Sequence, residues 1–309
     1  MKGEEIASEE QIKNLDLSYL NEQRSTQLRN LLLKYKDVFN DEPGHCKLLE
    51  HEIKLKEDFV PSVQRPYRVP ERLKEEIDSQ IQNLLDTGKI EKCVSEFGAP
   101  VVCVVKPDNS IRLCTDLRRL NKGILNDPYM LPRCEDIIRR VCNSNFISTV
   151  DASSGYFQIS IKEADRGKQV FLVHSGHYQW NVTPFGIKTA QAMYARVMQE
   201  LLREHHAYSD SYVDDTAIFS KTWRDHIIHL EKVLKAFQEA GMTLKLKKCC
   251  FGKNKVKFLG HCVGGGLHSP LLDKVETIKN IAEPTTKKAL RSFIGLANYY
   301  KNYVNNQSC

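Results

Sequence analysis

The sequence predicts an α+β fold, in which short strands are interrupted by amphipathic helices. Residues 99–105 are rich in β-branched side chains, and residues 146–150 alternate between apolar and polar, as strands do. Residues 189–203 and 225–240 instead repeat apolar side chains every three or four positions, which is the pattern of a helix that covers a core. The presence of both patterns in one chain leads to the α+β prediction.

The first third of the chain is predicted to hold two helices joined by an extended segment. An amphipathic stretch covers Arg24 to Phe39, and a Pro43–Gly44 turn signal follows it. The proline-punctuated segment 61–70 should be extended, because a residue that precedes proline avoids the helical region. Pro70 suits the first turn of the second helix and Gly88 its end. The apolar face of that helix comprises Leu73, Ile77, Ile81, Leu84 and Leu85.

Strands are predicted from residue 99 onward. An Asn109–Ser110 turn leads into a second strand at 111–114, and alternating stretches follow at 146–150 and 157–161. Residues 169–173 and 178–182 flank a Ser175–Gly176 turn, which predicts a hairpin. The helix at 189–203 should then bury Tyr194, Val197, Met198 and Leu201.

The last third is predicted to begin with a β-prone stretch, 208–220, that two aspartates interrupt. The helix at 225–240 is closed by Gly241, and strands are expected at 243–246 and 256–262. A final helix should cover 289–304, with Thr285 as its N-cap.

Composition sets broad limits on the class of protein. The 309 residues suit two or three packed subdomains, and 41% hydrophobic with 27% charged residues is near the globular average. No apolar run approaches the roughly 20 residues that cross a bilayer, and residues 1–10 do not resemble a secretory signal, so an intracellular protein is expected. The net charge of +6 favours polyanion binding only weakly. The ten cysteines contain no C-x-x-C pair and are interpreted as small buried side chains.

Two adjacent carboxylates stand out within the β-prone stretch 208–220. Asp214 and Asp215 lie between Ser211-Tyr212-Val213 and Ala217-Ile218-Phe219, although aspartate is depleted in strands and like charges repel. One interpretation is an ordinary turn, where aspartate is common. The other is a hairpin tip that presents oxygen ligands to a hard divalent cation. The local pattern leaves both open.

A third aspartate favours the cation site. Asp151 ends the alternating stretch 146–150 and precedes Ser153-Ser154-Gly155-Tyr156. Two strands of one antiparallel sheet, each with an aspartate at its end, could bring the carboxylates together. Paired metals could then activate a hydroxyl and stabilise a leaving pyrophosphate. Phosphoryl transfer depends mainly on positioning and charge neutralisation, so no nucleophilic side chain is needed.

Seven motifs follow one another along the chain. Residues 112–122, 127–133 and 151–159 resemble R-x-C-x-D-Y-R-x-L-N-K, D-P-Y-P-L-P-R and D-x-x-S-G-Y-x-Q-I. The other four are Pro184-Phe185-Gly186-Ile187, Tyr212-Val213-Asp214-Asp215, Lys257-Phe258-Leu259-Gly260-His261 and the stretch 290–300. In this order they resemble the polymerase region of the Pol polyprotein, the reverse transcriptase, of gypsy-type long-terminal-repeat retrotransposons. The resemblance runs from about Leu17 to the C-terminus.

The resemblance implies a catalytic role for Asp151, Asp214 and Asp215. In this family Asp151 and Asp214 would ligate two Mg²⁺ ions, which Mn²⁺ could replace, and Asp215 would support the cluster. The implied activity is RNA-directed DNA polymerisation, in which deoxynucleotides are added to the 3′ end of a primer on an RNA or DNA template.

Further roles are implied for residues around the aspartates. Lys106 and Arg112 would bind the triphosphate, a task suited to the fork of a guanidinium. Tyr156 would lie under the sugar and exclude a 2′-hydroxyl, and Phe185 would pack near the nucleotide and template. Phe258, Leu259 and Gly260 would form the turn that holds the primer end. For Tyr156, Phe185 and Phe258 the alternative is an ordinary core aromatic.

The resemblance also implies the architecture of a right-hand polymerase, with fingers, a palm built on an antiparallel sheet, and the start of a thumb or connection. The boundaries are a lead-in at 1–58, interleaved fingers and palm at 59–262, and a helical thumb or connection segment at 263–309. The implied partners are a primed RNA or DNA template, deoxynucleoside triphosphates and other Pol segments (ribonuclease H, integrase and protease), with no membrane. The implied location is the cytoplasm, within a virus-like particle in an active element.

Some positions depart from the family pattern and keep an alternative function open. Pro107 follows Lys106 where the family has aspartate and glycine, Leu117 replaces a tyrosine, and Gln191 replaces a proline at a helix start. None of these changes removes an aspartate of the cluster. The alternative is a catalytically decayed or domesticated copy that acts as a nucleic-acid-binding or interaction module.

Two other features imitate functional sites. Asp86-Thr87-Gly88 matches the triplet of aspartic proteases but is interpreted as the end of the helix that starts near Pro70. His226 and His229 lie three residues apart on a predicted helix without a third ligand, and solvated surface histidines are expected.

Overall fold

The computed structural model describes residues 9–105 and 111–303, and it has the predicted α+β composition. Three antiparallel or mixed sheets are covered by helices. No helix within the described ranges is long and apolar enough to span a membrane.

The central sheet has four strands in the order β7-β8-β4-β9, all antiparallel. It corresponds to the expected palm. Its strands are β4 (Phe146–Asp151), β7 (Ser209–Tyr212), β8 (Asp215–Ser220) and β9 (Cys250–Lys253).

A second sheet has five strands in the order β1-β6-β5-β2-β3 and corresponds to the expected fingers. The hairpin predicted around Ser175–Gly176 is confirmed as β5 paired with β6, whereas β2 and β5 run parallel. Its strands are β1 (Ile90–Lys92), β2 (Ala99–Val105), β3 (Ile111–Thr115), β5 (Val170–Val173) and β6 (Gly176–Trp180).

The third sheet is a small meander of three strands beyond the palm. It consists of β10 (Val256–Phe258), β11 (His261–Gly264) and β12 (Leu267–Pro270). Val256, Phe258 and Val263 pack in one apolar cluster with Ile138 and Val141 from the helix that precedes β4. This cluster attaches the turn between β10 and β11 to the palm.

The described helices cover the sheets and continue into the C-terminal segment. The helix that begins near Pro70 ends at Asp86, and Gly88 has the positive φ (65°) of a helix stop, so the protease-like triplet is a helix end as predicted. The C-terminal helix is capped by Thr286 rather than the predicted Thr285. The helices are α1 (Glu22–Lys34), α2 (Lys74–Asp86), α3 (Arg118–Gly123), α4 (Cys134–Cys142), α5 (Glu163–Arg166), α6 (Ala190–Leu201), α7 (Trp223–Glu239), α8 (Leu272–Lys279) and α9 (Lys287–Tyr299).

The largest apolar core lies under the palm sheet, and the lead-in contributes to it. Leu28 and Leu32 of α1 are fully buried against Leu230 and Leu234 of α7, and all four belong to one cluster. Burying a leucine of this kind contributes roughly 1.5–3 kcal/mol. The lead-in is therefore part of the palm's hydrophobic core, while the boundary at residue 58 stays a prediction.

Two predicted strands are wrong, and the single strand predicted at 256–262 is instead divided into β10 and β11 by the turn at Leu259–Gly260. Residues 155–158 form a short 3-10 helix, after which Ser160 and Ile161 make only isolated bridges to Val182 and His51. Residues 243–246 contain a single bridging residue, Leu244, and then enter a 3-10 helix. In both segments the chain turns sharply beside the aspartates, and this overrides the local alternation of apolar residues.

The prediction that His226 is a solvated histidine is also wrong. Its ring is fully buried beneath the palm sheet, where Nε2 lies 2.7 Å from Ser148 Oγ and Nδ1 lies 3.2 Å from Ser220 Oγ. Burial lowers the pKa of His226 to about 3. The histidine therefore joins α7 to strands β4 and β8 as a neutral hydrogen-bonding group.

Candidate active site

The pairing of β4 with β8 brings two of the three predicted aspartates together. The Cα atoms of Asp151 and Asp215 are direct partners in the antiparallel register. Such partners lie about 4.5–5.5 Å apart, so their side chains share one region of the sheet end. Residues 64 positions apart in sequence thus become neighbours, as the sequence predicted.

The third aspartate sits on the turn between β7 and β8. Tyr212 and Asp215 form the last pair of the hairpin, which leaves Val213 and Asp214 as a two-residue connection. Val213 has φ of 53°, a left-handed conformation that β-branched residues rarely adopt and that costs about 1–3 kcal/mol. The left-handed conformation of Val213 closes the tight turn, so that Asp214 lies at its tip beside Asp215.

The environment of these carboxylates disfavours their charged forms. Both side chains are accessible to solvent, but nearby protein atoms displace part of their hydration. This partial desolvation raises the pKa of Asp214 and of Asp215. Repulsion from Asp151 adds to the effect at both residues, and Asp215 adds to it at Asp214. A site where oxygen ligands are crowded and partly desolvated suits a hard divalent cation.

Lys248 partly neutralises the cluster. Its ammonium lies 3.1 Å from Oδ1 and 3.3 Å from Oδ2 of Asp151, and the backbone N–H of Lys245 donates to the Asp151 carbonyl at 2.9 Å. Across residues 9–105 and 111–303, no three His, Cys, Asp or Glu side chains already converge as a metal-ligand group. Metal binding would thus require the carboxylates to turn toward a cation and Lys248 to share Asp151 with it. The donor set itself, two carboxylates at paired strand ends and a third on the adjoining turn, fits Mg²⁺ or Mn²⁺.

An aromatic cluster lies next to the aspartates. The ring of Tyr156 meets those of Phe185 and Tyr194 edge to face, at centroid distances of 5.5 and 5.4 Å. Burial, and then the charge of Asp214, raise the pKa of Tyr156 to about 12. Phe185 is 50% exposed, so it is not an ordinary core aromatic. Tyr156 and Phe185 are thus brought to one side of the aspartates.

The backbone around Tyr156 is tightly constrained. Ser154 has φ of 48°, and the 3-10 helix Gly155–Gln158 starts directly after it. A Cβ at position 155 would lie 2.6 Å from Cε2 of Tyr194, so only glycine fits there. The loop therefore presses Tyr156 closely onto helix α6.

The turn between β10 and β11 contains the predicted primer-contacting residues. Leu259 and Gly260 have φ of 46° and 71°, while the side chain of Phe258 is buried in the meander core. The core-aromatic alternative therefore describes the Phe258 side chain. Leu259 is also buried, and Gly260 is partly exposed.

Of the two residues predicted to bind the triphosphate, the structure describes only one. Arg112 lies in β3 with its Cα opposite that of Val104. Lys106 lies outside the described residues.

The left-handed residues of the chain are concentrated at these loops. Among described residues other than glycine, positive φ occurs at Ser154, Val213 and Leu259. Each lies in a loop that carries predicted site residues. Strain of this kind is typical of functional sites.

This arrangement of strands and loops matches a known protein family. A family model described as reverse transcriptase (RNA-dependent DNA polymerase) matches residues 104–263, about half of the chain. The chain belongs to the reverse transcriptase family. The matched range holds all three aspartates, the aromatic cluster and the turn between β10 and β11.

Its relatives include Pol polyproteins of gypsy-type transposons, which confirms the resemblance found in the motifs. The Pol polyprotein of transposon 297 from Drosophila melanogaster is 30% identical over 98% of this chain and 30% of the relative. That of transposon gypsy from the same organism is 32% identical over 80% of this chain and 24% of the relative. The enzymatic polyprotein of cauliflower mosaic virus (strain CM-1841) is 29% identical over 93% of this chain and 43% of the relative. The chain spans less than half the length of each.

Solved structures confirm the right-hand polymerase fold. The foamy viral protease-reverse transcriptase in complex with double-stranded DNA superimposes with a TM-score of 0.85 and 28% identity, over 97% of this chain and 52% of that one. The same viral protein in complex with an RNA/DNA hybrid gives a TM-score of 0.81 and 28% identity, over 94% of this chain and 39% of that one.

Several positioning residues of this reverse transcriptase chain were missed in the sequence. His51 is buried, with Nδ1 2.9 Å from Thr183 Oγ1 and Nε2 2.9 Å from Thr189 Oγ1, so it joins the two ends of the segment that carries Phe185. Asn121 donates to the Gly186 carbonyl at 2.8 Å and accepts from the Lys188 N–H at 2.8 Å. Asn121 lies within the motif at residues 112–122, which is a signal in the sequence, whereas an isolated histidine such as His51 gives none.

Two tyrosines near the end of α9 fix the backbone of the turn between β10 and β11. The Tyr299 hydroxyl donates to the Leu259 carbonyl at 2.7 Å, and the Tyr300 hydroxyl donates to the Gly260 carbonyl at 2.9 Å. A Cβ on Gly260 would lie 3.0 Å from the Tyr300 oxygen. The C-terminal end of α9 and the turn are thus held together through hydrogen bonds to two backbone carbonyls of the turn.

A basic cleft of about 690 Å³ opens on the fingers beside α3. Arg118 donates to both oxygens of Asp116, at 2.8 and 2.6 Å, and this holds the pKa of that carboxyl well below its usual range. The other cations of the cleft form no ion pair with a described carboxylate, and they are Lys56, Arg119 and Lys122. Asp58 is the remaining carboxylate of the lining, so the three cations leave the cleft with a net positive charge, which is suited to a polyanion.

Proposed function

We propose that this chain is the polymerase region of a retrotransposon Pol protein and catalyses RNA-directed DNA synthesis, adding deoxynucleotides to the 3′ end of a primer. The observation that carries the proposal is the pairing of Asp151 with Asp215 across β4 and β8, beside Asp214 on a strained two-residue turn. The strain at Val213 and the repulsion among the aspartates both reduce folding stability. Such costs are typical of a site that binds a cation and a phosphate.

Asp151, Asp214 and Asp215 would hold two Mg²⁺ ions, or Mn²⁺ in their place. When bound, such ions lower the pKa of a primer hydroxyl and stabilise the charge of the leaving pyrophosphate. The part of the protein is to keep the carboxylates at adjoining strand ends. Lys248, whose ammonium contacts Asp151, supplies positive charge next to the same position.

The nucleotide would be selected by the side chains around the aspartates. Tyr156, held by Tyr194 and Phe185, offers a rigid ring that would meet the sugar and exclude a 2′-hydroxyl. Arg112 and Lys106 are proposed to bind the triphosphate by analogy with the family. Phe185, half-exposed, would contact the nucleotide or template base.

The primed template would be bound mainly through phosphates. The basic cleft at Lys56, Arg119 and Lys122 supports contacts to one strand, and the turn at Leu259–Gly260 supports contacts to the primer end. Binding of this type depends steeply on salt and little on sequence. The foamy viral relatives are seen with double-stranded DNA and with an RNA/DNA hybrid, which is consistent with such a ligand.

The wider setting is part of the same proposal. Because the relatives are polyproteins, ribonuclease H, integrase and protease segments are proposed partners. A cytoplasmic location within a virus-like particle is proposed on the same grounds.

Primer extension tests the proposal. The protein is incubated with a DNA primer on an RNA template, deoxynucleotides and Mg²⁺, alongside Asp214→Asn and the control Asp136→Asn, whose side chain is exposed on α4. We expect extension by the parent and the control, and none by Asp214→Asn with primer-template binding retained. Undiminished extension by Asp214→Asn would contradict the proposed site. Binding without extension by the parent would instead identify the decayed, nucleic-acid-binding alternative.

A further inference from the structure

We propose that Gln158 is a positioning residue that sets sugar selection, by fixing the loop that carries Tyr156 against the segment that leads to Lys248. The inference rests on the proposed polymerase function and deepens it. Gln158 belongs to one of the recognised motifs, but nothing in the sequence indicates its task.

The amide of Gln158 is completely buried and uses its hydrogen-bonding groups on backbone atoms. Nε2 donates to the Ser153 carbonyl at 2.8 Å and to the Thr243 carbonyl at 2.9 Å. Oε1 accepts from the Thr243 N–H at 2.8 Å. Two donors and an acceptor are needed together, and among side chains of this size only a primary amide supplies them.

These bonds join two segments that meet behind Asp151. The N–H of Ser153 donates to the Thr243 carbonyl at 3.0 Å, and that of Lys245 donates to the Asp151 carbonyl at 2.9 Å. Ala152 and Leu244 form an antiparallel bridge between them. The Gln158 side chain therefore fixes the loop 152–158 to the segment 243–245. Lys248, which contacts Asp151, follows this segment three residues after Lys245.

The lead-in also forms hydrogen bonds to both of these segments. The N–H of Cys46 donates to the Gln158 carbonyl at 2.7 Å, and that of Gly44 donates to Thr243 Oγ1 at 2.9 Å. Neither contact involves the Gln158 side chain. Removing that side chain should thus loosen the loop locally without detaching the lead-in.

Sugar selection is the property that should respond. The 3-10 helix Gly155–Gln158 carries Tyr156 between two fixed points, the left-handed Ser154 and the clamped Gln158. The Tyr156 ring is proposed to act as a steric gate, which excludes ribonucleotides because the ring lies too close to the sugar to admit a 2′-hydroxyl. Its selectivity therefore depends on the distance between the ring and the sugar. A shift of about 1 Å in a positioning group can cost on the order of a hundredfold in rate.

The chain offers a matched control for the loss of a buried amide. Gln169 is also fully buried, but its side-chain nitrogen and oxygen have no hydrogen-bond partner among the described residues. Gln169→Met and Gln158→Met thus make the same change at equal burial, but only the second removes hydrogen bonds.

The test is single-nucleotide incorporation with matched ribo- and deoxynucleotides. The ratio of kcat/KM for the two sugars is measured for the parent, Gln158→Met, Gln169→Met and Tyr156→Ala, together with primer-template Kd. This ratio does not depend on the fraction of active enzyme, so partial unfolding cannot imitate the effect. Should Gln158→Met fail to fold, Gln158→Asn, whose amide is one methylene too short for all three bonds, is measured in its place.

We expect Gln158→Met to raise relative ribonucleotide use by about tenfold, with primer-template Kd unchanged, and Gln169→Met to match the parent. An unchanged ratio in Gln158→Met, where Tyr156→Ala does change it, overturns the role of Gln158 alone. An unchanged ratio in Tyr156→Ala overturns the gate itself. Absence of incorporation by the parent overturns the polymerase function.

Discussion

The ammonium of Lys248 lies within 3.3 Å of both carboxylate oxygens of Asp151, the strand-end aspartate that pairs with Asp215. The lysine reaches this position because the segment after Thr243 is bonded to the backbone of Asp151. A side-chain cation is thus built into a site whose carboxylates suit metal cations. The two kinds of cation should compete for Asp151.

Lys248→Met should therefore strengthen the binding of Mn²⁺ to the free protein. The pair is partly exposed, with 58% of the Lys248 and 26% of the Asp151 side chain accessible, so the electrostatic effect is modest. An exposed pair contributes about 0.2–1 kcal/mol, which corresponds to a gain of up to about fivefold in affinity. Titration followed by electron paramagnetic resonance measures the Mn²⁺ Kd. Lys247→Met, at the exposed neighbouring position, is the control and should have little effect; weaker Mn²⁺ binding by Lys248→Met would contradict the competition.

Tyr300→Phe should weaken the grip on the primer end. The change removes only the hydroxyl that donates to the Gly260 carbonyl, at a cost of about 1 kcal/mol. The turn should then sample other conformations, and primer-template should dissociate several times faster. A filter-binding off-rate measures this. Tyr303→Phe, whose hydroxyl contacts His268 instead, should dissociate at the parental rate; equal off-rates in the two variants would show that the Tyr300 contact does not hold the turn.

Stability should fall with acidification because of His226. Burial lowers its pKa from 6.5 to about 3, so the folded state keeps the ring neutral while the unfolded state takes up a proton. The resulting stability is present in full above pH 6.5 and is lost progressively as pH falls toward 3. Between pH 7 and 5 the loss from this group is about 2 kcal/mol.

Urea unfolding of His226→Gln at the two pH values measures this contribution. The loss of unfolding free energy between pH 7 and 5 should be about 2 kcal/mol smaller in this variant than in the parent. Replacing the exposed His177 by glutamine is the control and should leave the pH dependence close to parental. A His226 variant with the parental pH dependence would contradict the buried neutral ring.

Arg119→Ala should reduce the salt dependence of primer-template binding. Arg119 lines the basic cleft with no carboxylate partner among the described residues, so it is free to contact a phosphate. Losing one such contact lowers the slope of log Kd against log salt by about 1. Fluorescence anisotropy over a salt series gives the slope. Lys235→Ala, at an exposed position paired with Glu239, should keep the parental slope; a shared decrease would mean that the cleft is not the binding surface.

Local sequence patterns predict those strands and helices whose conformation depends on their own residues and not on distant contacts. The β7–β8 hairpin was predictable because apolar β-formers flank Asp214 and Asp215 on both sides. Strands at 157–161 and 243–246 were predicted wrongly because alternation suggested extended chain, whereas Ser154 turns left-handed and Gln158 bonds to Thr243. Those contacts join residues 85 positions apart, and no local window contains them.

The environments of individual side chains were the least predictable part. His226 is neutral and buried because Ser148, 78 residues away, supplies a hydrogen bond under the sheet. Tyr299 and Tyr300 lie within the motif at residues 290–300, but the sequence alone does not connect their hydroxyls to Leu259 and Gly260. The sequence could name residue types suited to metal and phosphate, while the residues that hold them in place depend on distant backbone atoms.

The central claim is that Asp151, Asp214 and Asp215 act as one site, and the rate of Mg²⁺-dependent primer extension by Asp151→Asn, Asp214→Asn and the double variant tests it most directly. Residues that act as a unit have non-additive effects, so each single change should abolish extension as fully as the double change does. Substantial extension by either single variant, at a rate that falls further in the double variant, would contradict a shared site.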